Sequence, residues 1–409
     1  MVEQFNITQV IDREVARVLI VSAYACPHIG GIEVVVGQQA RTLAALGHKV
    51  TVVTSRCAPS GAAQEEVDGY MVIRIPAWNL LEERIGVPFP VWGLSAVGRL
   101  SDLIRKSDVV HVHDVYYGSS ILAASLARRY RRPLFVTQHV GIVEHDKEFV
   151  KLAQKLVYSS AGRTLWHWAE TITVYNRIVE EFLHSRGVSP EKISLTYNGI
   201  DTRYFHPGTY DDALLTRQRY GLPPDVPIVL SVGRLVPKKG FQKLIDARSS
   251  EYEVVHAGPG TIPSDVPEEV RFLGPLNRTE LRDLYQASDI FAFPAVGEML
   301  TLVMQEAMAC GLPVVAAADD TYSRYGLDPS GIALVDPQPE ILRSAFLEIL
   351  GDPARMRYMQ TYSRWLAEEH FDWSKNTMLL ASQYQAVGSK PERSWHRHKT
   401  ETRIPINAP

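Results

Sequence analysis

Short apolar runs recur along this chain, each closing on a glycine- or proline-bearing loop and each followed by a helical pattern. Residues 17–23 lead into the loop 27–31, then into an amphipathic stretch, 33–46, that ends at Gly47, then into a further run, 49–54. The runs 109–113 and 134–137 follow, with a helical pattern over 119–130 between them. The rhythm restarts after Asn198-Gly199-Ile200-Asp201, with apolar runs at 228–232, 253–257 and 289–293. Mainly apolar runs of this length suit strands buried on both faces, and parallel strands need helical crossovers between them. The pattern therefore predicts α/β architecture with doubly wound parallel sheets, in two similar domains joined near residue 200. At 409 residues the chain can fill two cores. From Gly388 onward it turns polar and carries Pro391 and Pro405, which predicts a mobile tail over 389–409.

Charge and cysteine content narrow the partners. A formal net charge of -3 exerts no general pull on nucleic acid or anionic membrane. Three scattered cysteines, Cys26, Cys57 and Cys310, form no disulfide framework and point to a reducing, cytoplasmic setting. Residues 15–26 look like the apolar core of a signal peptide. The acidic Glu3, Asp12 and Glu14 precede them where basic residues belong, and a Gly-rich loop follows, so a strand is the better reading. No other stretch approaches the ~20 apolar residues of a membrane span.

The densest chemistry lies in residues 297–316. A helix over 302–309 is bounded by Thr301 before it and by Gly311 and Pro313 after it, and a buried strand follows at 313–316. Glu298 then falls in the loop at the helix N-terminus and Glu306 about one turn inside. Free N–H groups and the helix dipole attract phosphate, while carboxylates accept hydrogen bonds from hydroxyls. A nucleotide sugar carries both kinds of group.

Other motifs can be read in two ways. Gly30 and Gly31 either let the backbone approach a ligand closely or make a tight strand-to-helix turn; the Gly-x-Gly-x-x-Gly spacing of a dinucleotide fold is missing. The loop 233–240 carries Arg234, Lys238 and Lys239 between a strand and a helix, where cations meet a diphosphate, although a solvated basic turn has the same composition. His111, His113 and Asp114 suggest a metal, but no further ligand with recognisable spacing follows and the pair of histidines alternates along a strand, so a structural or substrate-facing role is the better reading; the chain also has no Asp-x-Asp pair for a divalent cation. His139 stands just past a strand end, where open α/β sheets bind ligands, and is either functional or structural. Lys147, Lys151 and Lys155 recur at helical spacing within 144–169, beside Leu152, Leu156, Trp166 and Trp168. That pattern fits a basic interfacial helix, or an ordinary surface helix with its aromatic end in the core.

Taken together these residues resemble the retaining glycosyltransferases of family 4, which have the GT-B fold. The matching motifs run in order. They are the Pro-x-x-Gly-Gly-x-Glu loop at 27–33, Gly47-His48-x-Val50-Thr51, Asn198 to Asp201 with Phe205 and Pro207, and Gly233-Arg234-Leu235 with Lys239-Gly240. Val270-x-Phe272-x-Gly274, the segment 298–306 and Phe371-Asp372-Trp373 complete them. The resemblance implies two Rossmann-like domains facing across a cleft. Residues 1–200 would bind the acceptor and 201–372 the nucleotide sugar, UDP- or GDP-linked, with a helix over 373–388 returning to the first domain. It further implies that Arg234 and Lys239 bind the diphosphate, Glu306 the ribose hydroxyls and Glu298 a sugar hydroxyl. The segment Gly274 to Leu276 would frame the base, and Thr301 and Leu302 would line the donor site. Gly30 and Gly31 would close over the phosphates, and His139 would face the sugar. Glu298, His139, Arg234 and Lys239 would then be the catalytic group, with no metal and no cofactor. The acceptor would be a hydroxyl compound, soluble or lipid-linked at the inner face of a membrane. The family's usual Gly-Phe-Gly after the first glutamate is here Met299-Leu300-Thr301, and its usual serine near Tyr175-Asn176 is absent. A phosphorylase or hydrolase on the same fold, or a silent nucleotide-sugar-binding protein, is the alternative reading.

Overall fold

In a computed structural model the chain up to Tyr197, joined by the segment from Trp373, forms one compact unit, and Asn198–Asp372 forms the other. The structure describes residues 16–388 apart from 27, 29–30, 57–61, 80–81, 83, 85–88, 143–147, 263–265, 268, 298–299, 320–321, 323–324 and 326. The tail at 389–409 thus lies outside the described residues.

In the first unit the strands are β1 (Arg17–Val21), β2 (Lys49–Arg56), β3 (Gln64–Val67), β4 (Tyr70–Trp78), β5 (Val91–Trp92), β6 (Val109–His113), β7 (Leu134–Gln138), β8 (Thr171–Val174) and β9 (Ile193–Leu195). They pair in the order β3-β4-β2-β1-β6-β7-β8-β9, with β5 beside β4. β3 and β5 run antiparallel to β4, and the other pairs are parallel. Side chains alternate between two buried faces, as a doubly wound sheet requires. Leu19 and Val21 of β1 join a core with Val110, Val112, Val136 and Ile172. Val18 and Ile20 join the opposite core with Val50, Val52, Phe135 and, from the final helix Trp373–Gly388, Leu380, Ala381 and Tyr384.

In the second unit β10 (Ile228–Val232), β11 (Glu253–Ala257), β12 (Val270–Gly274), β13 (Ile290–Phe293), β14 (Val314–Ala317) and β15 (Ile332–Val335) form an all-parallel sheet ordered β12-β11-β10-β13-β14-β15. Its core joins Val229, Val254, Ile290 and Val315 to Phe241, Leu244, Leu342 and Phe346.

Both sheets reverse direction of growth once, between β1 and β6 and between β10 and β13. Ligands of open α/β sheets bind outside the carboxyl ends of the strands at such points. The predicted fold class, two Rossmann-like α/β domains, is the one observed.

Local departures have identifiable causes. The first helix, Gly31–Ala45, starts at Gly31 rather than Glu33. The pattern over 144–169 is not one helix. It is Glu148–Val157, a π turn Tyr158–Gly162, and Arg163–Trp168. Ser159 and Ser160 donate their hydroxyls back to the carbonyls of Lys155 and Leu156 and compete with the backbone ladder there. Trp166 is core, stacked 5.7 Å from Tyr158, whereas Leu152 and Leu156 are more than half exposed. Lys147 lies outside the described residues. No helix among the described residues is long and apolar enough to cross a membrane.

Candidate active site

In the second unit the carboxyl ends of β10, β11 and β12 are held to one another by backbone hydrogen bonds. Gly233 N–H donates to the Ala257 carbonyl at 3.0 Å, Leu235 N–H to that of Pro259 at 2.9 Å, and Gly258 N–H to that of Gly274 at 2.8 Å. His256 is buried at the end of β11, and its Nε2–H donates to the Gly233 carbonyl at 3.0 Å. The approach is close enough that a Cβ on Gly258 would meet the Gly233 oxygen at 1.9 Å. The loop after β10 is therefore set by backbone packing, and it projects an exposed Arg234 and a half-buried Lys239. Lys239 Nζ sits 5.3 Å from the centre of the Phe293 ring at the end of β13, across the reversal point.

The loop after β13 leads into helix Leu302–Ala309, which has the bounds expected from sequence. N–H groups in its first turn have no partner within the helix. Thr301 is the N-cap residue with φ −68°, an ordinary value for threonine, so the residue standing where the family usually has glycine fits this backbone without strain. Its hydroxyl does not cap the helix and is buried without a hydrogen-bond partner among the described residues. Leu302 is half-buried at the first helical position. Glu306, one turn on, accepts from the Tyr285 hydroxyl at 3.2 Å, and burial raises its pKa to about 7. Gly274 ends β12 with φ 71°, and Leu276 is half-buried just before helix Arg278–Gln286. The second unit thus gathers Arg234, Lys239, Gly274, Leu276, Thr301, Leu302 and Glu306 along one edge of its sheet. Glu298 lies outside the described residues.

In the first unit Gly31 opens the helix after β1, and Gly30 lies outside the described residues. Glu33 of that helix is buried and meets His28 Nδ1 at 2.8 Å, while His28 stacks 4.3 Å from Tyr24. β6 and β7 pair with His111 beside Phe135 and His113 beside Thr137, which places His139 two residues past the last pair. There His113 Nδ1 and His139 Nε2 are 2.9 Å apart. The Asp114 carboxylate accepts from the His139 backbone N–H at 2.9 Å and from the Gln138 side-chain amide at 2.9 Å. Asp114 adopts a left-handed φ of 54°, tolerated by Asp better than by most residues, and its burial raises its pKa to about 7. Burial lowers the pKa values of His111, His113 and His139, so none of these three is charged near neutral pH.

From sequence, His111, His113 and Asp114 suggest a metal less well than a structural or substrate-facing role. Among the described residues no group of three or more His, Cys, Asp or Glu is placed to hold a metal. Instead Asp114 and His113 grip His139. Sequence inspection missed this arrangement, and it missed Tyr285 beside Glu306, because each depends on strand or helix register. The one available signal was an ionisable pair at a strand's carboxyl end.

The profile of Glycosyltransferase Family 4 matches residues 29–204, and that of Glycosyl transferases group 1 matches residues 226–352. D-inositol 3-phosphate glycosyltransferase 1 of Catenulispora acidiphila is 29% identical over 402 residues, covering 88% of this chain and 91% of that protein. Among solved structures, Anabaena HepE in complex with UDP matches with TM-score 0.69 and 18% identity, over 90% of this chain and all of the other. Sucrose-phosphate synthase from Thermosynechococcus elongatus matches with TM-score 0.66 and 22% identity, over 91% and 99%. At those identities the solved structures speak for the fold alone. The two profiles, which between them span most of both units, and the curated relative place the chain in its family: it belongs to glycosyltransferase family 4 and is a GT-B glycosyltransferase.

Proposed function

We propose that this enzyme moves a sugar, with retention and without a metal ion, from a nucleoside diphosphate to a hydroxyl of its acceptor. The observation that carries the reading is the edge of the second unit. There two cations on the loop after β10 stand across the reversal point from a helix N-terminus and a carboxylate after β13. Arg234 and Lys239 would take the diphosphate together with the first-turn N–H groups of helix Leu302–Ala309. Glu306 would accept from the ribose hydroxyls, and the segment from Gly274 to Leu276 would frame the base. Gly30 and Gly31 would meet the phosphates, and Glu298 would orient a sugar hydroxyl. Thr301, with its unpaired hydroxyl, would line the sugar.

Retention is read as front-face attack within a tight ion pair. The cations stabilise charge as it develops on the departing phosphate, and that phosphate takes the acceptor proton. His139 would face the sugar. Metal independence is supported by the cationic character of the loop after β10 and by the lack of an Asp-x-Asp pair. The relative from Catenulispora acidiphila makes an inositol phosphate the first acceptor to try.

Thermal shift against nucleoside diphosphates and their sugars tests the reading. A ligand at a hundred times its dissociation constant adds about 2.7 kcal/mol. Stabilisation by a nucleoside diphosphate in the presence of chelator is expected, and no response to any of them overturns the proposal. The exposed Leu152 and Leu156 beside Lys155 favour an acceptor presented at an anionic lipid surface. Vesicles of phosphatidylserine should then retain the protein at low salt and release it at high salt. No retention at low salt favours a soluble acceptor.

A further inference from the structure

The contact between His113 and His139 has a consequence for the chemistry His139 can perform. His113 is 1% exposed, and its second ring nitrogen, Nε2, is buried without a hydrogen-bond partner among the described residues. His139 is only partly buried, and its Nδ1 makes no hydrogen bond among the described residues. The two rings therefore meet nitrogen to nitrogen and share one hydrogen bond, and each leaves its other nitrogen unbonded. The neighbours do not supply another proton. His111 stacks on the far side of His113 at 4.8 Å, and its own nitrogens are taken by the Tyr384 hydroxyl and, at 2.8 Å, by the Thr137 hydroxyl. Tyr175 lies against His139 at 5.4 Å and accepts from Gln39 at 2.8 Å. The Asp114 carboxylate is engaged by the backbone and by the Gln138 amide rather than by either ring.

Two neutral rings can be arranged in two ways. If His139 donates from Nε2, His113 must carry its own proton on the sealed Nε2, and a buried N–H goes unsatisfied. If His113 donates from Nδ1, the sealed nitrogen is a bare lone pair. Orphaned buried N–H groups are rarer than under-used acceptors, which favours the second arrangement. The tautomer of a histidine is set by the bond its other nitrogen makes. We infer that His113 is a positioning residue that fixes His139 as the Nδ1–H tautomer, making His139 a hydrogen-bond donor to an oxygen of the bound ligand rather than a general base. This rests on the reading above that His139 faces the donor sugar. The role agrees with a mechanism in which the leaving phosphate, not a side chain, takes the acceptor proton.

The direct test is long-range proton–nitrogen NMR of the whole protein labelled with 15N-histidine, with peaks assigned by His139→Ala and His113→Asn. A protonated Nδ1 on His139 is expected, and a protonated Nε2 overturns the inference. Kinetics supply the second readout. His113→Leu should lower kcat about tenfold with the donor KM little changed, as loss of one oriented hydrogen bond would. His113→Asn, which restores an N–H donor, should recover most of that loss. Equal kcat in the leucine, asparagine and native proteins overturns the positioning role. Full activity of His139→Ala would instead remove the reading that His139 faces the sugar, whatever tautomer the spectra show.

Discussion

Glu306 lies one turn inside helix Leu302–Ala309, half-buried, with the Tyr285 hydroxyl donating to it and its pKa raised to about 7 by burial. A ribose hydroxyl donates best to the ionised carboxylate. Donor affinity should therefore rise with pH, by at most about tenfold per unit, until it levels off above about pH 7. A nucleotide sugar is the right ligand for this titration because its phosphates stay ionised throughout. Calorimetry from about pH 5.5 to pH 8 should show the rise, and Glu306→Gln should flatten it. A native profile as flat as the variant's would separate Glu306 from the ribose. Protein stability follows the opposite sign. The folded carboxyl holds its proton more tightly than the unfolded chain does, so its contribution is full below the ordinary carboxylate range and is lost as pH rises through about 7. At the phosphates, Arg234→Ala and Lys239→Ala should each weaken nucleoside diphosphate binding by about 1.5–3 kcal/mol if the contacts are charge-assisted. Unchanged affinity in both would place the diphosphate elsewhere.

The loops of the second unit show why a glycine can matter more than a charged residue. Gly258 has φ 148°, and any Cβ there collides with the Gly233 backbone, which carries the Arg234 loop. Gly258→Ala should destabilise the second unit by at least ~2 kcal/mol, from overpacking and backbone strain together, and should weaken nucleotide binding with it. Gly98 is the control. It lies in helix Ser95–Lys106, and an alanine methyl there would meet nothing within 4 Å, so Gly98→Ala should stabilise by about 0.5–1 kcal/mol. Denaturant unfolding of both variants checks the contrast, and equal effects would contradict it. The elements themselves were legible where burial is two-sided or where glycine and proline set the ends. The runs 109–113, 228–232 and 253–257 and the helix over 302–309 occupy the residues expected of them. β3, with Glu65 and Glu66 at the sheet edge, has no apolar run to announce it. The π turn at Tyr158–Gly162 interrupts an apolar periodicity that continues on either side. In the candidate site, the loop position of Arg234 and the helix position of Glu306 could be read from local context, but side-chain pairs could not. His113 meets His139 only through the register of β6 against β7.

The chain passes from the first unit to the second after Tyr197 and returns at Trp373, so the first unit is built from two distant pieces of sequence. The returning helix Trp373–Gly388 completes a core. Tyr384 is 1% exposed, with its ring 4.7 Å from that of Phe135 and its hydroxyl on His111 Nδ1. Leu380 and Ala381 fill the same layer beside Val50 and Val52. The tie spans 273 residues of sequence, so closing it requires a large loop whose entropy grows only slowly with length. Folding of the first unit must therefore finish after nearly the whole chain is available, while the second unit is continuous and can fold without waiting. Removing the tyrosine ring should create a cavity and leave His111 Nδ1 without its partner. Tyr384→Ala should cost about 3–5 kcal/mol, the range for truncating a large buried aromatic. That loss belongs to the first unit, whose core it opens, whereas the expected diphosphate contacts of Arg234 and Lys239 lie in the second. Urea unfolding followed with and without nucleoside diphosphate separates the two, because ligand raises only the transition of the unit that binds it. In Tyr384→Ala the ligand-insensitive transition should fall and the ligand-sensitive one should hold. A fall confined to the ligand-sensitive transition would mean that the nucleotide, and with it the donor site, sits on the first unit instead.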